Sequence, residues 1–223
     1  MVAMSADRQP RRDHVANALR TQILSGALPA GTRLREEQIA ADYGVSRVPV
    51  REALLGLEQE GYLVIRPRRG ATVASPSPTR ALEVMEIRRT LEVLAARRAA
   101  ERRGGVVAEE LKELTARAAE AVEQQQHAEM PALIDQFHAL VAVASDSEAL
   151  VELLDQLRSR VGWMFEVDLE ERSHTQWAEH EEILDAILAG DADGAAARMD
   201  EHVATDESLY RTKAAATSAR GGV

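Results

Sequence analysis

The sequence predicts a mainly α protein in two parts: a small head of three helices closed by a β-hairpin, then an all-α antiparallel bundle of six helices. Three observations carry this. Apolar residues recur three and four apart through most of the 223 residues, the period of a helix with one buried face. The period changes to that of a strand at Tyr62-Leu63-Val64-Ile65-Arg66 and again at Ala71-Thr72-Val73-Ala74. Ser75-Pro76-Ser77-Pro78 then interrupts both patterns and reads as a linker.

Charge divides at the same place. Residues 1–75 carry 11 arginines, no lysine and 8 carboxylates, whereas residues 76–223 carry 16 basic and 29 acidic side chains. The overall charge of −10 argues against nucleic acid, but its distribution fits a basic DNA-binding head joined to an acidic sensing or dimerising body. A hydrophobic content of 45% with only 3% aromatics allows a core packed through small and aliphatic side chains. The chain has no cysteine, which excludes disulfides and thiolate catalysis and leaves His, Asp and Glu as the metal ligands. No apolar run approaches the ~18 residues of a membrane span, and no signal peptide is visible. The expected location is the cytoplasm, with no membrane partner.

Along the head, Val15, Leu19 and Ile23 repeat at four between Asp13 and Ser25, and Gly26 follows as a stop. Leu28-Pro29-Ala30-Gly31 is a turn. Residues 36–43 make a short helix with Ile39, Ala40 and Tyr43 inward and two acids in its first turn, where they complement the helix dipole. Gly44 suits a tight turn because it takes a positive φ at little cost. Ser46 is a good N-cap for the next helix, Arg47 to about Glu60. Pro49 falls in its first turn, where a missing N–H does no harm. Ala53, Leu54 and Leu57 give this helix its buried face, while Arg47 and Arg51, four apart, share another. A helix that buries one side and offers two arginines from its first turns is what DNA recognition requires, since the guanidinium fork grips guanine or a phosphate with two hydrogen bonds. The two strands follow, joined by Pro67-Arg68-Arg69-Gly70. Three helices and a basic-tipped hairpin form a winged helix-turn-helix.

Beyond the linker the periodicity gives six helices, at about 79–103, 106–126, 130–145, 147–166, 172–189 and 193–212. The domains are therefore 1–75 for the winged helix-turn-helix, 76–80 for the linker, 81–212 for the bundle and 213–223 for a flexible tail.

The segment Gly31-Thr32-Arg33-Leu34, Glu36, Ile39-Ala40, Gly44-Val45-Ser46-Arg47, Pro49-Val50-Arg51-Glu52-Ala53-Leu54, Leu57, Glu60-Gly61 and Gly70 resembles the DNA-binding domain of the GntR family of bacterial transcription regulators. The second part resembles the FCD effector domain of the FadR subfamily, through Glu86-Ile87-Arg88, Leu91-Glu92, Phe137-His138, His180-Glu181, Ile183-Leu184, Ala186-Ile187, Gly190-Asp191, Ala195 and His202. Six bundle helices point to the VanR-like branch. The resemblance implies DNA contacts by Arg35, Ser46, Arg47 and Arg51 and by the wing residues Arg68, Arg69 and Gly70. It departs at Glu37, where some members carry an arginine, so the operator contacts there should differ.

His138, His180 and His202 can meet on physical grounds. His180 and His202 sit eight or nine residues, ~12–14 Å, from the turn between two antiparallel helices, and His138 is mid-helix in a third. Asp135 lies three residues before His138. Three imidazoles and a carboxylate from facing helices make a site for Zn²⁺, Ni²⁺, Mn²⁺ or a similar divalent ion; spacing alone leaves open that these are ordinary core histidines. The resemblance implies a divalent metal held by one Asp and three His. The family's Asp lies four residues before the histidine, where this chain has Ile134, so Asp135 takes its place in the expected ligand set. Arg88 matches an arginine that faces the effector, and beside a metal it would help trap a small carboxylate.

The function expected is a ligand-responsive transcription regulator, a repressor released from a palindromic operator by a small organic acid. It would act as a homodimer on double-stranded operator DNA, two-fold protein symmetry matching inverted half-sites. A metal-only sensor or architectural DNA binder remains the alternative. A metal-dependent hydrolase is a further one, but no general base is evident beside the cluster and the DNA head would be unexplained.

Overall fold

A computed structural model describes residues 8–67, 69–75, 78–165 and 173–220. The chain forms two compact units, Met1–Ser77 and Pro78–Val223.

In the first unit α1 (Arg8–Leu24), α2 (Glu36–Asp42) and α3 (Arg47–Gln59) accompany a three-stranded sheet of β1 (Arg33–Leu34), β2 (Leu63–Arg66) and β3 (Gly70–Val73). The apolar repeat of α1 goes inward: Val15, Leu19 and Ile23 are buried, as are Val50, Ala53, Leu54 and Leu57 of α3, against which α1 packs. Arg20 donates from Nε and Nη2 to the two carboxylate oxygens of Glu60, at 2.9 and 2.8 Å, and ties α1 to the residue that closes α3. The turn from α2 to α3 passes through Gly44 at φ +63°, the left-handed region that only glycine enters without strain. Ser46 has the extended backbone of an N-cap, but its side chain makes no capping hydrogen bond.

Strand β3 is central, antiparallel to both neighbours, with Leu63 opposite Val73 on one side and Leu34 opposite Ala71 on the other. The sequence predicts only the hairpin. A two-residue strand such as β1 shows no alternation, so its pairing with β3 leaves no periodic signal. Of the wing residues, Arg68 lies outside the described residues.

The second unit holds α4 (Pro78–Glu101), α5 (Ala108–Glu123), α6 (Met130–Ala144), α7 (Glu148–Phe165), α8 (Ser173–Ala189) and α9 (Ala192–Arg220). Single 3₁₀ turns precede α5 at Gly105–Val107 and α6 at His127–Glu129. The core is built from alanines that let helices approach closely, Ala95, Ala96, Ala99, Ala100, Ala195 and Ala196, around larger residues such as Phe137, Leu154, Trp177 and Ile187. Arg89 on α4 clamps Asp200 on α9 with two hydrogen bonds of 2.6 and 2.5 Å. Asp191 caps α9 by accepting the Gly194 N–H at 2.9 Å.

Two expectations need correction here. The linker of residues 76–80 is cut short, because α4 begins at Pro78; proline is well tolerated at the first turn of a helix. The flexible tail of residues 213–223 is helical as far as Arg220, since the alanine run 214–216 has high helix propensity and extends α9. The separator expected around Asp168–Ser173 falls almost wholly outside the described residues.

Candidate DNA-reading face and metal centre

The first unit carries an arginine-rich face where the start of α3 meets the start of α2. A cleft of about 530 Å³ there is lined by Arg33, Arg35, Glu36, Glu37, Arg47, Arg51 and Gly70, among others. Arg35, Arg47, Arg51 and Gly70 thus share one cleft, while Ser46 and Arg69 are exposed and do not line it. Arg33 escapes sequence reasoning because it lies on the two-residue β1.

The two exposed arginines at the start of α3 are aligned by acids on α2. Arg51 donates from Nε and Nη2 to the two oxygens of Glu36, at 3.0 and 2.8 Å. Arg47 donates from Nη1 to Glu37 at 3.0 Å and stands 3.5 Å from Glu36. The hydrogen bond from Arg51, helped by the charges of both arginines, holds the Glu36 carboxyl below its ordinary value against the opposing effect of burial. More than half of each arginine side chain remains exposed, so both stay within reach of a ligand. Glu37, where the sequence departs from its resemblance, is therefore an acid placed directly beside Arg47.

The second unit brings His138 of α6, His180 of α8 and His202 of α9 together in its interior. Each is at most 1% exposed, and one nitrogen from each lies within 4.8 Å of the others. Ring centroids are 5.4, 5.3 and 4.4 Å apart. Trp177 stacks on His180 at 4.9 Å and Phe137 meets the same ring edge-on at 4.8 Å, closing the apolar side.

Carboxylates face Nδ1 of two of the rings. Glu179 accepts from Nδ1 of His202 at 2.7 Å, and Glu92, fully buried, stands 3.3 Å from Nδ1 of His138. A carboxylate only accepts, so Nδ1 of His202 carries its proton and its Nε2 presents a lone pair, whereas Glu92 faces Nδ1 of His138 without forming a hydrogen bond to it. The Nε2 atoms of His138 and His202 face one another at 3.4 Å. Two nitrogens bound to one tetrahedral ion at 2.0–2.1 Å are ~3.3 Å apart, so the donor set fits a divalent metal.

Burial pushes the His138 imidazole below its ordinary value; Glu92 opposes this, and Arg88 and His202 add to it. The ring is neutral at pH 7, as a ligand must be. For Glu92, burial favours the neutral acid, but His138, Arg88 and Arg158 outweigh it and keep the carboxyl ionised, well below its usual range.

Asp135 does not join the cluster. Its side chain is 69% exposed and stands 3.3 Å from Arg158 Nε. Helix geometry gives the reason. At 100° per residue, position 135 lies about 60° beyond His138, away from the buried stripe of Leu133, Phe137 and Val141, whereas position 134 lies about 40° on the core side. Arg88 sits beside the site through Glu92, its Nε donating to Oε1 at 3.3 Å with the side chain 10% exposed. Sequence reasoning gave no role to Glu92, one turn after Arg88, or to Glu179, which adjoins His180 in the chain but bonds His202.

Among the described residues no helix is long and apolar enough to cross a membrane. Residues 11–73 match the family described as "Bacterial regulatory proteins, gntR family", and residues 83–205 match the FCD domain. The HTH-type transcriptional regulator McbR of Escherichia coli is 30% identical over 184 residues, covering 81% of this chain and 83% of McbR. A probable D-xylose utilization operon transcriptional repressor of Paenarthrobacter nicotinovorans is 32% identical over 184 residues, covering 82% and 81%. The solved structure of E. coli McbR/YncC superposes with a TM-score of 0.72 at 26% identity, covering 91% of this chain and 98% of that one. An arginine-lined helix-turn-helix head and a helical unit, each matched to its family over most of its length, establish that the chain belongs to the GntR family of bacterial transcription regulators with an FCD domain.

Proposed function

We propose that the chain is an effector-responsive repressor that holds a palindromic operator as a homodimer in the cytoplasm and leaves it when a small carboxylate binds beside a divalent ion in the FCD unit. The observation that carries this is the buried histidine cluster: three imidazoles from three helices, two with Nε2 atoms turned toward each other, beside the buried Arg88–Glu92 pair.

Arg47 and Arg51 read base edges or phosphates from the start of α3, with Arg35, Ser46, Arg68, Arg69 and Gly70 completing the interface. His138, His180 and His202 hold the ion, which when bound supplies a Lewis-acidic position for a carboxylate oxygen. Arg88 attracts the anion through its charge while Glu92 fixes the guanidinium. The neighbouring Phe137 and Trp177 keep water from the apolar side. The effector shifts DNA affinity only by its differential affinity for the bound and released states.

A gel shift on the promoter beside the chain's own gene, screened against small carboxylic acids with and without Zn²⁺ or Ni²⁺, tests this. Release by one acid, dependent on the ion, is the expected result. Release by the ion alone would make the protein a metal-only sensor. Failure to retain that promoter or any operator selected from random DNA would sink the reading.

A further inference from the structure

We infer that the ion is held by nitrogen alone, with Glu92 and Glu179 acting as positioning residues behind the ligands, so that the centre disfavours oxygen-preferring ions such as Mn²⁺ beyond the ordinary affinity order. The inference rests on the metal-bearing reading above and goes beyond it by specifying ligand set and selectivity.

Among the described residues, the two carboxylates placed beside ligand rings, Glu179 and Glu92, both stand on the far, Nδ1 side of an imidazole. Glu179 Oε2 accepts from Nδ1 of His202 at 2.7 Å, while Glu92 accepts from Arg88 Nε through Oε1 and turns Oε2 to the Nδ1 side of His138, each at 3.3 Å. Neither lies on the Nε2 side, where His138 and His202 converge to 3.4 Å. The acid nearest in sequence, Asp135, is turned out to Arg158. The helix position that would place an oxygen over His138 is one turn earlier, at 134. Ile134 occupies it and packs against the core. An imidazole set suits Zn²⁺ and Ni²⁺, whereas Mn²⁺ depends on carboxylate oxygen for much of its affinity. A carboxylate that grips the remote N–H fixes tautomer and ring orientation and raises ligand basicity without selecting between ions.

The test uses the full chain, stripped of metal by a chelator, in equilibrium competition against a chromophoric indicator for Zn²⁺, Ni²⁺ and Mn²⁺. Ile134→Asp should raise Mn²⁺ affinity at least tenfold relative to Zn²⁺. Glu179→Gln should weaken all three ions alike, roughly 10–100-fold, the range of such outer partners, with the Mn²⁺/Zn²⁺ ratio held. An unchanged ratio in a folded Ile134→Asp would overturn the inference. So would a Glu179→Gln that alters no affinity, or one that shifts the ratio against Mn²⁺, since Glu179 would then be a ligand. Glu179 is partly exposed and its variant is isosteric, so it decides the matter if Ile134→Asp does not fold. No binding of any ion by the wild type would overturn the inference and the metal-bearing reading together. Operator retention by the same stripped protein judges the DNA-binding reading separately.

Discussion

Arg51 is held at both donor faces by Glu36, with Nε at 3.0 Å and Nη2 at 2.8 Å from its two oxygens. The pair fixes the direction of a guanidinium on a side chain that is 62% exposed, and an operator contact by Arg51 would use it already aligned. Such alignment reduces the rotamer freedom lost on binding. Glu36→Gln should therefore lower affinity for the operator while raising affinity for unrelated DNA, because a negative charge near the phosphates is gone. The ratio of specific to non-specific binding, measured by anisotropy at one salt concentration, should fall several-fold. An unchanged ratio would leave Glu36 as a passive neighbour.

Arg51→Ala removes the fork itself. Loss of a bidentate base contact should reduce operator binding roughly 10–100-fold and relax specificity at one base position. If Arg51 touches only phosphate, the loss should be uniform across sequences and the salt slope should fall by about one. Either outcome places Arg51 in the interface; equal affinity of wild type and variant for every DNA would remove it.

The Arg89–Asp200 clamp gives a pH dependence. The hydrogen bond from Arg89 holds the Asp200 carboxyl below its ordinary value of 3.8. A carboxyl lowered in the fold contributes stability above its unfolded value, and loses it as pH falls through the folded one. Asp200 is nearly half exposed, so solvent screening limits the pair to ~0.2–1 kcal/mol. Asp200→Asn should lower the unfolding midpoint by a few degrees at most at pH 6, and the difference from wild type should shrink as pH falls below 3.8 and through the lowered folded value, followed by circular dichroism.

The fold is legible where period and punctuation coincide. Gly44, Pro49 and the stripe of Ala53, Leu54 and Leu57 define α3, and the observed helix runs Arg47–Gln59. The expectation fails where a structure is too short to have a period, as in β1 and the two 3₁₀ turns. It fails also at the chain end, where low complexity looks loose but alanine favours helix. In the site, residues that mark themselves by chemistry stand out: the three histidines do converge. Asp135 misleads because a spacing of three places a residue on a shared face without saying which edge of that face is buried. Glu92 and Glu179 stay hidden because their roles depend on helix rotation and on partners 46 and 23 residues away.

Metal should stabilise the FCD unit through its three histidines. At a free ion concentration of 100 times Kd, binding to the native state alone adds ~2.7 kcal/mol. For a unit of this size that raises the melting temperature by about 5–10 °C. Zn²⁺ added to stripped protein should produce this shift in the wild type and little or none in His180→Ala. The same variant should still retain operator DNA, because the arginine face lies in the other unit. Equal metal content of variant and wild type by elemental analysis would count against His180 as a ligand.

Close packing through alanine makes α4 sensitive to added bulk. Ala99 is fully buried, next to Ala95, Ala96 and Ala100 in the same core, while Leu94 on the same helix is 42% exposed. Interiors are packed to crystal density, so three extra carbons at 99 force side chains off their rotamers or helices apart. Ala99→Leu should destabilise by ~1–3 kcal/mol, seen as a lower midpoint in urea with little change in slope. Leu94→Ala, which opens no cavity, should cost no more than ~0.5 kcal/mol. If the two variants unfold at the same urea concentration, the alanine seam is not the close contact that the structure shows.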